Sequence, residues 1–149
     1  MVKKIILGVT VFVIAIQFIP YGKNHTNPPV QATVQWDTPK TKQLFMRACG
    51  DCHSNETKWP AYSNVVPISW FIMAHVEEGR EHFNVSMWGI QKKNKGDEAA
   101  EEVEEGDMPL ISYLIAHPEA KLTEQETKTL IQGLKNTFGE EGKKEKGDE

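Results

Sequence analysis

Cys49-Gly50-Asp51-Cys52-His53 reads as C-x-x-C-H, and the rest of the chain is best understood outward from what this stretch can hold. Cysteines at i and i+3 project from neighbouring positions of one helical turn. Their sulfurs reach the two vinyl-derived carbons on one porphyrin edge and form thioethers, and the histidine that follows places an imidazole nitrogen on the iron. The expected cofactor is one covalent haem c, attached at Cys49 and Cys52, with His53 as an axial iron ligand. A domain of about 100 residues buries a limited core, and a covalent staple offsets that. Three other uses of the cysteines are weighed against this one. A zinc site needs four ligands, and this motif supplies three at cramped spacing. A thioredoxin-like redox pair belongs in a βαβ pattern, which the chain lacks. A plain Cys49–Cys52 disulfide suits an exported protein.

The second axial ligand has three candidates. Met108 lies in Gly106-Asp107-Met108-Pro109, where glycine frees the backbone and proline stiffens the loop that presents the thioether. A soft sulfur ligand raises the potential of haem iron. Its ordinary role would be gap-filling in a core, which a polar turn argues against. His75 and His82 are the alternatives, His75 among apolar residues and His82 near a helix end. His25 and His117 read as surface residues. Trp59 and Trp70, with Tyr62, Phe71 and Trp88, are candidates to line an apolar haem pocket or simply to pack the core. Arg80 is a candidate partner for a haem propionate, since guanidinium binds carboxylates through two donors. An ordinary surface arginine is the competing reading.

The helical pattern extends on both sides of the motif. Thr38 is an N-cap with Pro39 at the first helical position, and Leu44, Phe45, Ala48 and Cys52 share a face. A second helix is expected from Ile68 to Glu78, with Gly79 ending it. Asp97 to Glu105 reads as an acidic helix facing Ala99, Ala100 and Val103 inward, and Leu110 to Ile115 as another turn or two. The last helix is the clearest. Thr123 caps it, Glu126 completes a capping box, and Leu130, Ile131, Leu134 and Phe138 form its apolar stripe. No stretch alternates as a strand, so the fold is expected to be mostly α.

Lys3-Lys4 followed by an apolar run from Ile5 to Ile19 has the pattern of an export signal. No cleavage motif lies close behind it, and Val30-x-Ala32 is distant. An uncleaved signal-anchor is favoured over a cleaved signal peptide, with an N-terminal membrane helix through residues 5–19 and the rest on the periplasmic side of the cytoplasmic membrane. The expected division is 1–19 signal-anchor or signal peptide, 20–37 extended Pro- and Asn-containing linker, 38–138 haem-binding domain, and 139–149 disordered charged tail. With 21 acidic against 17 basic side chains, the chain is no basic nucleic-acid binder, and a redox protein with a basic docking patch is the expected partner.

Cys49-Gly-Asp-Cys-His-Ser-Asn-Glu-Thr-Lys-Trp-Pro-Ala-Tyr-Ser-Asn64, Pro67-Ile-Ser-Trp70, His75-Val-Glu-Glu-Gly-Arg-Glu-His-Phe-Asn84, Gly106-Asp-Met-Pro-Leu110 and His117-Pro-Glu-Ala120 together resemble the bacterial haem-binding domain family. These are small c-type cytochrome-like proteins, often with an N-terminal membrane anchor. The resemblance covers roughly Thr38 to Phe138 and implies haem attachment and export. It also keeps His75, Arg80 and His82 as pocket candidates. The expected architecture is a small cytochrome c-like helical domain around one haem. The expected function is one-electron transfer by a monohaem c-type cytochrome rather than catalysis. A haem-based sensor or peroxidase-like protein, with an open or histidine-gated iron, is the alternative.

Overall fold

The start of the first domain helix is fixed by two neighbouring residues. Thr38 accepts a hydrogen bond from the Thr41 amide at 3.1 Å, and Pro39 occupies the first helical position. The computed structural model describes residues 1–139 and is helical, with no strand among the described residues. Its α-helices are α1 (Val2–Ile16), α2 (Pro39–Ala48), α3 (Gly50–His53), α4 (Ile68–His82), α5 (Ala99–Glu105), α6 (Ile111–Ala116) and α7 (Glu124–Phe138). The mostly α expectation holds. The charged tail beyond Gly139 lies outside the described residues.

The core is an α2–α7 pair with α5 laid against it. Leu44 and Phe45 of α2 meet Leu130, Leu134 and Phe138 of α7, and Ala99, Ala100 and Val103 of α5 close the third side. Gly133 lets the two long helices touch, because a Cβ there would run into the Thr41 side chain. The capping box at the start of α7 forms as read from the sequence: the Glu126 amide donates to Thr123 Oγ1, and the Thr123 amide to Glu126 Oε2 at 3.0 Å. An aromatic cluster of Trp36, Phe45, Phe83, Trp88 and Phe138 fills the centre, with ring centroids 4.6–6.2 Å apart. Trp88 is thus a core residue.

One expectation is corrected in the middle of the chain. Gly79 does not end α4, which continues to His82. The glycine is there for contact: a Cβ would lie 2.9 Å from both Cβ and the carbonyl oxygen of Cys52. Residues 20–37, read as an extended linker, form no helix. They are laid along the domain as a strap. Gly22, at φ 77°, passes so close to the Ser69 carbonyl that a Cβ would sit 2.7 Å from it. The Gln31 and Ala32 amides both donate to the Ser86 carbonyl at 3.0 Å, and Val34 is buried in the core. Backbone polar groups that find partners on the domain stabilise such a path.

The apolar N-terminus forms α1, none of whose residues is buried. No helix among the described residues is long and apolar enough to cross a membrane. Fifteen residues rise only about 22 Å, against a hydrocarbon core of about 30 Å. The expected membrane-spanning helix is therefore not supported. Directly after α1, the Gln17 side-chain amide pairs with the backbone of Val66, donating to its carbonyl at 2.9 Å and accepting from its amide at 3.1 Å.

Candidate functional site

The turn from α2 into α3 puts the C-x-x-C-H residues on the wall of a cleft of about 260 Å³. Cys49, Cys52 and His53 come from α3 and its start. α4 contributes His75, Glu78, Gly79 and His82, which at i, i+3, i+4 and i+7 form one helical face. The turn from α5 to α6 brings Met108, Pro109 and Leu110 opposite, α6 adds Tyr113, and Phe45 and Leu134 reach it from the core. All three candidate second ligands therefore share one cleft with His53.

His53 is buried and held in one orientation. Its ring stacks on Phe83 with centroids 4.3 Å apart, and Nδ1 lies 3.2 Å from the Phe83 carbonyl. A carbonyl only accepts, so Nδ1 carries the proton and Nε2 keeps its lone pair. Burial pushes the imidazole pKa down, which keeps it neutral as metal ligation requires. The cysteines are free thiols. Burial pushes Cys49 up to about 12 and Cys52 up to about 11. A reactive dithiol pair needs the opposite shift. No cluster of three or more His, Cys, Asp or Glu able to hold a metal ion occurs among the described residues. The raised thiol pKa values disfavour a reactive dithiol. An apolar cleft, a neutral histidine with Nε2 available and two thiols on one turn fit a haem.

Behind the motif lies a polar knot. Asp51 accepts from the Lys58 amide at 2.9 Å and from the Tyr113 hydroxyl at 2.7 Å. Burial, then the bond to Asp51, raises the Tyr113 pKa, so the phenol remains a donor. Arg80 does not line the cleft. Its Nε donates to the Ser54 carbonyl, and its Nη2 to Asn27 Oδ1 and Thr57 Oγ1, each at 2.9 Å. The expected propionate partner is thus spent on holding the chain that leaves the haem motif, and on tying it to the strap. Trp59 lies outside the cleft too, stacked on His25 at 4.5 Å and donating to Asn27 at 3.2 Å. Trp70, half-buried, also lies outside it.

Sequence reasoning missed two features. Tyr113 closes the cleft and fixes Asp51, and nothing in its spacing signals this. His117, read as a surface residue, is stacked on Tyr113 at 4.4 Å and bonded to the Tyr62 hydroxyl at 2.6 Å and to Glu119 at 2.9 Å. Its position before Pro118-Glu119, inside one of the family-like segments, was the available hint. Lys95 also lines the cleft and pairs with Glu98 at 3.0 Å.

No curated protein and no solved structure matches the chain. A family model described as a haem-binding domain matches residues 11–136 and so takes in the strap, the thiol-bearing turn, the α4 face and the Met108 turn. With that match laid over a cleft whose walls already fit the cofactor, this chain belongs to the haem-binding domain family.

Proposed function

We propose that the chain is a monohaem c-type cytochrome, carrying one electron at a time outside the cytoplasm. Cys49 and Cys52 hold the porphyrin covalently, and His53 and Met108 ligate the iron. The observation that carries this reading is the convergence of Met108 with Cys49, Cys52 and His53 on one apolar cleft, from segments far apart in the sequence. Bound there, haem supplies a one-electron ferric–ferrous couple. The chain's own residues exclude water, orient His53 through Phe83, and close the cleft with Tyr113 and Leu110. A redox protein with a basic patch is the partner, since Glu78, Glu98 and Glu102 all reach the cleft wall. Lys3 and Lys4 and the exposed apolar side chains of α1 support export, with residues 5–19 held at the membrane.

Expression with a c-type maturation system tests attachment. The red colour should survive acid–acetone extraction, and Cys49→Ala or Cys52→Ala should leave one thioether. Haem that extracts freely from the intact motif refutes covalent attachment. A sensor or peroxidase-like reading is favoured by one observation, the presence of His75 and His82 in the same cleft. Ready carbon monoxide binding by the reduced wild type would select it.

A further inference from the structure

We propose that a second cavity, next to the haem cleft, binds a lipophilic hydroquinone and delivers its electrons to the haem and its protons to solvent. This rests on the haem reading above. The cavity, of about 240 Å³, is walled by Trp59, Phe71 and Ile72 and ends in the polar pair Tyr62 and His117. It shares Cys52, His75, Leu110 and Tyr113 with the haem cleft, so its inner wall is the edge where a thioether would form. An apolar slot with a few convergent polar groups is the usual form of a small-molecule site.

Two observations choose the ligand class. The first is a proton path. The Tyr62 hydroxyl donates to His117 Nε2 at 2.6 Å, and His117 Nδ1 donates to the Glu119 carboxylate at 2.9 Å. Glu119 is exposed, its side chain 68% accessible, so the chain runs from the cavity to water. The second is an apolar mouth. Ile68 and Phe71 on α4, which line the cavity, are about half exposed, and Ile111 and Ile115, outside the lining on the neighbouring α6, are nearly bare. α6 itself lines the cavity with Ser112 and Ala116. The Gln17–Val66 pair brings the end of the apolar α1 to within two residues of Ile68. A substrate that is oily, aromatic and must lose protons with its electrons fits all of this.

The step balances as follows. One hydroxyl of the hydroquinone gives its proton to the Tyr62 oxygen as Tyr62 passes its own to His117 Nε2. The Glu119 carboxylate steadies the imidazolium, which releases the proton to water. One electron goes to the ferric haem, leaving a semiquinone. A second ferric copy of the protein takes the second electron, and the second hydroxyl proton leaves by the same chain. One hydroquinone and two ferric haems yield one quinone, two protons and two ferrous haems. Asp51, Lys58, His75 and Tyr113 also face the cavity or the relay.

The test uses the full-length holoprotein. A redox-inert alkyl hydroxyquinoline N-oxide should quench tryptophan fluorescence, and Trp59→Phe should remove most of that quenching. A decyl benzoquinol should reduce the ferric haem. Ala116 is exposed, so Ala116→Phe should fold, narrow the mouth, and weaken analogue binding about tenfold or more. Glu119→Gln should slow reduction by the quinol roughly a hundredfold and flatten its pH dependence, with analogue binding unchanged. A haem spectrum that dithionite reduces normally, with no analogue binding and no reduction by the quinol, overturns this proposal alone. Unchanged binding and rate in Ala116→Phe would also overturn it. A chain that takes up no haem refutes the haem reading itself, which the absorption spectrum shows separately.

Discussion

At the scale of single residues, the candidate ligands of the cleft differ in how each is held. His53 is locked, with its ring against Phe83 and Nδ1 committed to a carbonyl. Met108 is presented by a turn: Gly106 takes a left-handed conformation at φ 86°, and the amides of Asp107 and Met108 both donate to the Glu102 carbonyl at 3.0 Å. His75 has Nδ1 bonded to the Phe71 carbonyl at 2.8 Å and sits on the helix that packs through Gly79 on Cys52. Met108→Ala should therefore abolish the far-red charge-transfer band of methionine-ligated ferric haem, lower the potential, and open the ferrous form to carbon monoxide. His75→Ala and His82→Ala should leave that band in place. The reverse pattern would assign the ligand to histidine.

At the scale of elements, the contact that matters most is between α3 and α4. Gly79 meets Cys52 at a distance no larger side chain tolerates. Gly79→Ala should push the two helices apart and cost about 1–3 kcal/mol, read as a lower denaturation midpoint with unchanged slope. This element also shows what a sequence can and cannot disclose. The capping box at Thr123 and Glu126, the α2 and α7 stripes and the C-x-x-C-H turn were all legible, because each is governed by residues a few positions apart. Gly79 was misread because a glycine late in an apolar helix signals a terminus locally, while its use here depends on Cys52, in another helix. Arg80 was unreadable for the same reason: its partners Ser54 and Thr57 lie in one distant stretch and Asn27 in another. The strap read only as a linker because its backbone groups and Asn27 find their partners in distant segments, which leaves no local pattern.

At the scale of the whole molecule, charge sets both stability and encounter. Arg47 bonds Glu126 at 2.8 Å, and with the Thr123 amide it holds that carboxyl at about 2, below its ordinary 4.5. A carboxyl with a depressed folded pKa stabilises the fold above its ordinary value and loses that contribution as pH falls through the folded one. Unfolding titrations should thus show stability falling between pH 4.5 and about 2, with Glu126→Gln flattening part of that decline. The formal net charge of −4 predicts that electron exchange with a basic redox partner slows as ionic strength rises, a trend stopped-flow mixing would show. The pairing of α2 with α7 has a consequence in time. The helix that leads into Cys49 lacks its partner until residues near Gly133 have been synthesised. Until then the C-x-x-C-H turn stands in an open chain, and the arrival of the last helix closes the core behind it.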